Sequence, residues 1–400
     1  MKILHTSDWH LGQIYKNQNR EHEHQLFLDW LISYLQTDDG MQVDVLLIAG
    51  DIFDVGNPSN SAKKQYFNFL IKASQTSLKK IIVVAGNHDY ASTLEAPSEV
   101  LAAIDIHVVG GLYGDYDKAV VDLPNAKNIP TRIFCAPFLR ASDLLSVEGD
   151  ESIDSAIKRS TKTAYTQGLK ALRKNNFNGL ALATGHLYAA GSENNSDSVR
   201  DIQIGNQGVV KVESFGDGFD YVALGHLHRP QRVAGQDHIR YSGSPIALSF
   251  SEYEDIKSMC VVEWDSVDSK PQISEVEIPL FRRMIRVIGS RADVTTKLKE
   301  IQAEDASQDK LESWIEIILP DEAPDAVLAA DFRQLASELG LKVFGVQMQK
   351  ALAQTQFRAH QRLEELSPIE VMKVVLEERP DQEELLKVFH ELLQKNLEEK

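Results

Sequence analysis

Cysteine is scarce: the sequence holds two, Cys135 and Cys260, far apart and each inside an apolar stretch. That excludes a disulfide-stapled scaffold and reads as a pair of buried free thiols, in keeping with a reducing cytoplasm. Long apolar runs are missing too. The longest, Val45–Ala49 and residues 81–85, are strand-length, far short of the ~20 residues that cross a bilayer. The opening Met1-Lys2-Ile3-Leu4-His5 runs straight into a strand pattern and has no signal-peptide character. No Gly-x-x-x-x-Gly-Lys-Ser/Thr stretch occurs, so ATP binding is not expected of this chain. Positive charge is short as well, with 42 Lys and Arg against 59 Asp and Glu and a net charge of −17. Such a balance repels nucleic acid in bulk. A chain of this kind that handled DNA would need positive charge from bound metal, a local basic patch or a partner. The 43% hydrophobic and 25% charged residues over 400 positions fit two or three soluble globular domains.

The first two thirds alternate apolar strands with amphipathic helices. Strands are expected at 2–6, 43–49 and 80–85, with weaker ones at 132–137, 179–184, 221–224, 239–242 and 259–264. Helices are expected at 25–36, 61–73 and 152–174, the first from Leu26, Trp30, Leu31 and Tyr34 at helical spacing. This alternation argues an α/β sheet structure with helices packed on it. Pro271 and Pro279 mark a composition shift. A shorter β-α-β-α-β pattern follows, with strands at 284–288, 313–319 and 342–348 and helices at 294–303 and 326–339. Beyond about Gln349 the pattern is wholly helical. Ser367-Pro368-Ile369-Glu370 forms a capping box with Pro at the first helical position, and Pro380 separates two amphipathic stripes, one on Ile369, Met372, Val375 and Leu376 and one on Leu385, Val388, Phe389, Leu392 and Leu393. The expected domains are therefore 1–279, 280–348 and 349–400.

Five short segments share one grammar: polar residues at the end of an apolar strand, often beside a glycine. They are Asp8-Trp9-His10; Gly50-Asp51 with Asp54; Gly86-Asn87-His88-Asp89; Gly185-His186; and Gly225-His226-Leu227-His228. Ligands of α/β sheets collect at the carboxyl ends of strands. The Asp, His and Asn set suits borderline cations such as Mn²⁺, with Zn²⁺ or Fe also open, and offers no thiolate to a soft metal. Seven plausible ligands exceed the needs of one tetrahedral ion, whereas two ions sharing a carboxylate would use them. Any one segment alone is ordinary in a structural role. Together they take in five of the twelve histidines.

In this order the five segments resemble the calcineurin-like metallophosphoesterases, and the opening Ile3-Leu4-His5-Thr6-Ser7-Asp8-Trp9-His10-Leu11-Gly12 resembles their double-strand-break repair nucleases. Ala49 to Asp54, Val199 to Gly205 and Tyr241 to Pro245 share that resemblance. It implies a four-layer α/β core of two packed sheets flanked by helices, a small α/β capping domain that binds DNA, and a C-terminal helical segment that grips a partner. It also implies two metal sub-sites, Asp8, His10, Asp51 and His228 in one, and Asp51, Asn87, His186 and His226 in the other, with Asp51 bridging. His88 would reach the scissile phosphate and Asp89 would orient it; Asp54 stands where related nucleases can carry His. The implied activity is Mn²⁺-dependent 3′→5′ exonuclease action on duplex DNA with endonuclease action on hairpins and single strands. The implied partners are a coiled-coil ATPase and a second copy of the chain, meeting through helix 25–36 or 61–73 within a heterotetramer, with no membrane. A phosphodiesterase or phosphatase acting on a non-DNA substrate is the alternative within the fold. A non-catalytic scaffold predicts eroded ligands, and none is eroded. Arg229, Arg232 and Arg240, and Arg282, Arg283 and Arg286, would either contact phosphates or form a solvated face.

Overall fold

The computed structural model describes residues 1–140, 143, 151–189, 191, 209–306, 311–320 and 322–349. The expected helical segment 349–400 and the stretch Val199 to Gly205 thus lie outside the described residues, save Gln349.

In chain order the elements are β1 (Lys2–Thr6), β2 (Ile14–Tyr15), β3 (Gln18–Asn19), α1 (Glu21–Leu35), β4 (Val45–Ala49), α2 (Asn60–Ser74), β5 (Lys80–Val84), α3 (Ala91–Glu95), α4 (Ser98–Ala102), β6 (Ile106–Val109), β7 (Val120–Asp122) and β8 (Thr131–Phe134). There follow α5 (Ile153–Leu172), β9 (Leu180–His186), β10 (Tyr221–Gly225), β11 (Gln231–Val233), β12 (Gln236–Tyr241), β13 (Ser258–Glu263) and β14 (Gln272–Glu277). Last come β15 (Arg282–Ile288), α6 (Arg291–Ala306), β16 (Leu311–Pro320), α7 (Ala326–Glu338) and β17 (Lys342–Gln349).

Two six-stranded sheets carry the first part, in the orders β14-β13-β1-β4-β5-β6 and β11-β12-β10-β9-β8-β7. In the first, β1, β4, β5 and β6 run parallel, and β13 and β14 extend the sheet antiparallel. In the second, β12, β10, β9 and β8 run parallel between antiparallel edges β11 and β7. Strands buried on both faces read as continuous apolar runs, and Val-Leu-Leu-Ile-Ala of β4 is buried throughout. Its period-two alternation sorts it between two cores. Val45, Leu47 and Ala49 pack with Ile82 and Val84 against Ile133, Leu180, Leu182, Tyr221 and Ala223 of the second sheet. Leu46 and Ile48 pack outward with Phe27 and Leu31 of α1 and Phe69 and Leu70 of α2. On the far face of the second sheet, Phe134, Ala183 and Leu224 meet Tyr165 and Leu172 of α5. The layers are thus helix, sheet, sheet, helix, as expected.

The expected elements are all present within the described residues, with shifted ends. Helix α1 begins at Glu21 because the polar Glu23 and His24 are themselves buried, Glu23 against the buried Arg20. Helix α2 begins where Ser59 accepts a hydrogen bond from Ala62 N at 3.2 Å, an N-cap. Strands β6, β7, β11 and β14 are not apparent from the sequence: each is short or an edge strand, and β14 alternates only weakly, with Ile273 and Val276 half-buried. β14 pairs with β13, so the first sheet extends past Pro271.

The three-stranded sheet β15-β16-β17, with α6 and α7, forms the smaller β-α-β-α-β unit. Met284 and Trp314 from it pack with Phe250, Tyr15 and Phe344. Arg282 stacks over Trp314, 4.5 Å from the ring centre, and pairs with Glu23 at 3.2 Å. Glu23 therefore serves two arginines, Arg20 and Arg282, all three side chains nearly closed to solvent.

Candidate metal centre

The segment endings of β1, β4 and β5 from one sheet and β9 and β10 from the other converge. The chain after β1 runs beside the chain after β4: Asp8 N donates to Gly50 O at 2.9 Å, His10 N to Asp51 O at 3.0 Å and Leu11 N to Ile52 O at 2.9 Å. This crowding bends the backbone into the left-handed region at Asp8 (φ 54°), His10 (φ 46°) and Asp51 (φ 50°), with His226 at φ 105°. Such conformations cost of order 1–3 kcal/mol each and cluster where function requires them. Two glycines allow the approach. A Cβ on Gly86 would lie 2.1 Å from Asp51 Oδ1, and one on Gly225 would lie 2.0 Å from Ala49 O.

Asp51 sits at the middle. Its Oδ1 accepts from His88 N at 2.9 Å. Its Oδ2 lies 3.5 Å from His10 Nε2 and 3.3 Å from His186 Nε2, so one oxygen faces imidazoles from both expected sub-sites. Asp8, fully buried, accepts from His226 N at 2.9 Å. Its ligand atoms cluster with those of His10 and His228, and also with those of Asp51 and His186. Asn87 Oδ1 stands 3.0 Å from both His186 Nε2 and His226 Nδ1. His88 is exposed. It holds Nδ1 2.7 Å from Asp54 O and also falls within reach of His10 and Asp51. Asp89 is buried and gives both oxygens to backbone amides, of Gly86 at 2.9 Å, Phe53 at 3.0 Å and Ile52 at 3.1 Å. It ties the loop that carries His88 to the loop that carries Asp51. Asp54 places Oδ1 3.3 Å from His10 Nδ1.

The electrostatics ask for cations. Burial opposes charging His10, yet Asp54, Asp51 and Asp8 outweigh it and carry its pKa up to about 9. Burial likewise opposes charging His186, and Asp51 and Asp8 carry it to about 9. Asp51 is held well below the usual carboxylate range: burial would raise it, and His186, His10 and His88 override that. Burial, with His186 next, lowers His226 to about 3. Burial and then Asp51 raise Asp89 to about 6. Among the described residues, Nε2 of His10 and Nε2 of His226 have no hydrogen-bond partner although both are buried. Orphaned imidazole nitrogens around converging carboxylates fit divalent metal, and the oxygen and nitrogen donor set is the one borderline cations prefer.

Other residues here are not apparent from the sequence. His228 Nδ1 lies 3.0 Å from Glu252 Oε1. Glu252 is held well below the usual carboxylate range, because Lys257 and His228 override its burial. Arg140 donates to the backbone oxygens of Asp89 and Gly86. Their local sequence is generic, and only the fold brings them in. The six arginines read in sequence as phosphate contacts or a solvated face each pair with an acid: Arg229 with Asp255, Arg232 with Asp237, Arg240 with Glu275, Arg282 with Glu23, Arg283 with Glu304 and Asp305, and Arg286 with Glu316.

Comparison with known proteins agrees with this geometry. Residues 1–230 match the family profile of the calcineurin-like phosphoesterases, and residues 280–379 match one described as the type 5 capsule protein repressor C-terminal domain. The chain is 34% identical over 390 residues to the SbcD subunit of the SbcCD nuclease of Escherichia coli, covering 94% of each. It is 36% identical over 261 residues to the SbcD of Rhodobacter capsulatus, covering 63% of this chain and 64% of the relative. For the SbcD of Bacillus subtilis the identity is 34% over 283 residues, covering 68% and 67%. A family 1 β-glucosidase from Thermotoga maritima aligns over 82% of this chain and 77% of its own at 10% identity, with a TM-score of 0.19, too low to bear on the fold. With the convergent strand ends, the family profile and a near full-length relative in agreement, the chain belongs to the calcineurin-like phosphoesterases and, within them, to the SbcD nuclease subunits.

Proposed function

We propose that this chain hydrolyses DNA phosphodiesters at a two-metal centre held by Asp8, His10, Asp51, Asn87, His186, His226 and His228, as the nuclease partner of an SbcC-type coiled-coil ATPase. The observation that carries it is Asp51 Oδ2, which faces His10 from one side and His186 from the other. A carboxylate so placed would be shared by two cations when both are bound. We assign Asp8, His10, Asp51 and His228 to one ion and Asp51, Asn87, His186 and His226 to the other, and take both as Mn²⁺. Such a metal pair supplies a water nucleophile and neutralises charge developing on phosphorus, and it gives local positive charge to a chain of net charge −17. The residues of the chain do the rest. His88, exposed at the rim, meets the scissile phosphate and gives a proton or hydrogen bond to its departing oxygen. Its ring is set by Asp54 O. Asp89, clamped on three amides, keeps the His88 loop at that distance from Asp51.

The nuclease domain is taken as 1–279, the DNA-binding cap as 280–348 and the ATPase-binding segment as 349–400. Activity as a 3′→5′ duplex exonuclease and a hairpin and single-strand endonuclease, and assembly as a homodimer within a heterotetramer, complete the reading. A stand-alone phosphatase is disfavoured because Asp54 leads into Val55-Gly56, with no arginine there to grip a terminal phosphate. Purified protein with Mn²⁺ is tested on linear duplex DNA, on a hairpin and on bis-nitrophenyl phosphate. Cleavage of both DNAs is expected. Turnover of the small diester alone would favour a non-DNA substrate.

A further inference from the structure

Not all the site histidines are backed alike. His186 turns Nδ1 to a backbone carbonyl, Ala49 O at 2.9 Å. His228 turns Nδ1 to a carboxylate, Glu252 Oε1 at 3.0 Å. Glu252 ends the short turn Phe250–Glu252, and its side chain is 5% exposed. Its other oxygen is tied three times: to Lys257 Nζ at 2.6 Å, Leu248 N at 3.2 Å and Ser244 Oγ at 3.3 Å. With Oε2 so anchored the carboxylate plane is set, and Oε1 is aimed at the imidazole. The same segment grips the backbone of His228, whose carbonyl accepts from Lys257 Nζ at 3.0 Å and Ser244 N at 3.1 Å. One stretch of chain therefore fixes His228 at ring and main chain together.

A carboxylate can only accept, so its partner nitrogen must carry the proton. We propose that Glu252, held by Lys257, is a positioning residue: it takes the Nδ1–H of His228, selects that tautomer, and leaves the Nε2 lone pair for the cation that Asp8 and His10 share. The inference rests on the reading of His228 as a ligand. Stability alone is a weak reason for the pair, because a buried ion pair seldom outperforms apolar residues of similar volume. Outer carboxylates on metal-bound histidines, by contrast, typically account for 10–100-fold in metal affinity.

The test replaces the pair together, Glu252→Leu with Lys257→Met, so that no buried charge is stranded. Full-length variant and wild type are titrated with Mn²⁺ by calorimetry. One of the two ions should bind roughly 10–100-fold more weakly, the other should be unchanged, and Glu252→Gln with Lys257→Met should recover part of the loss. A folded double variant that binds both ions as wild type does would overturn the proposal. His228→Ala is the control: if it too leaves both ions in place, the ligand reading of His228 is at fault instead. A second measurement needs no variant fold. Long-range ¹H–¹⁵N spectra of metal-free wild type should show a proton on His228 Nδ1, and an unprotonated Nδ1 would refute the assignment.

Discussion

Replacing Asp51 by Asn keeps the shape of the side chain and an acceptor for His88 N, but removes the charge between the two sub-sites. The distances set the scale. Oδ2 stands 3.3 and 3.5 Å from the facing histidine nitrogens, so cations held among them lie at similar or shorter range. At an effective dielectric near 20, a unit charge at such a distance interacts by about 5 kcal/mol and a dication by about 10 kcal/mol. Even a third of that, surviving solvent and relaxation, is about 3 kcal/mol, or roughly 100-fold in affinity for each ion. The two dications would also lose the carboxylate that screens them from one another. Asp51→Asn should therefore weaken both ions by about 100-fold or more and abolish nuclease activity, with the unfolding transition of the metal-free protein retained. Elemental analysis after gel filtration and Mn²⁺ titration read this directly. A variant that keeps one ion at wild-type affinity would show that Asp51 is a terminal ligand, and the bridging argument would fail.

Four further outcomes are expected. His88→Ala should lower turnover by roughly 10²-fold while elemental analysis still finds both ions; loss of metal would make His88 a ligand. Glu23→Ala leaves Arg20 and Arg282 buried without their shared carboxylate, and should cost about 3–5 kcal/mol in urea unfolding; a change under about 1 kcal/mol would mean the pair is solvated. His5 is buried, and burial lowers its pKa to about 3. The unfolded chain therefore takes up a proton below about pH 6.5 that the folded chain refuses, so stability should fall from there toward pH 3 by up to about 1.4 kcal/mol per pH unit. His5→Gln should flatten that slope in urea midpoints, and an unchanged slope would refute the assignment. Removing residues 349–400 should abolish co-purification with the ATPase while leaving bound metal and Mn²⁺-dependent nicking of single strands; loss of metal would place the segment in the nuclease core.

The residues proposed as metal ligands are legible in the sequence because each segment is short and local: a polar residue or two at a strand end, with glycine where backbone or carboxylate must pass within reach, as at Gly86. Strands β4 and β5 are legible because burial on both faces demands an unbroken apolar run. What supports the ligands is not. Glu252 and Lys257 look like surface residues in sequence, and only the return of the chain beneath His228 buries them. The apolar stripe of α1 starts at Leu26, five residues after the helix does, because Glu21 to Gln25 carry no apolar side chain; a buried ion pair takes its place there. Edge strands β7, β11 and β14 are short or half-exposed, so periodicity barely marks them. The arginines flanking His228 and opening β15 read in sequence as phosphate contacts or a solvated face, and only the fold shows that each also lies beside an acid, as Arg229 does beside Asp255, Arg282 beside Glu23 and Arg286 beside Glu316.

The central claim is that two sheets bring their strand ends together around one carboxylate that serves two ions. Anomalous diffraction from crystals of the protein soaked in Mn²⁺ measures this most directly. Two peaks roughly 3.5–4 Å apart, with an oxygen of Asp51 between them and His10 and His186 on opposite ions, is the predicted result. A single peak, or two peaks of which Asp51 touches only one, would contradict it.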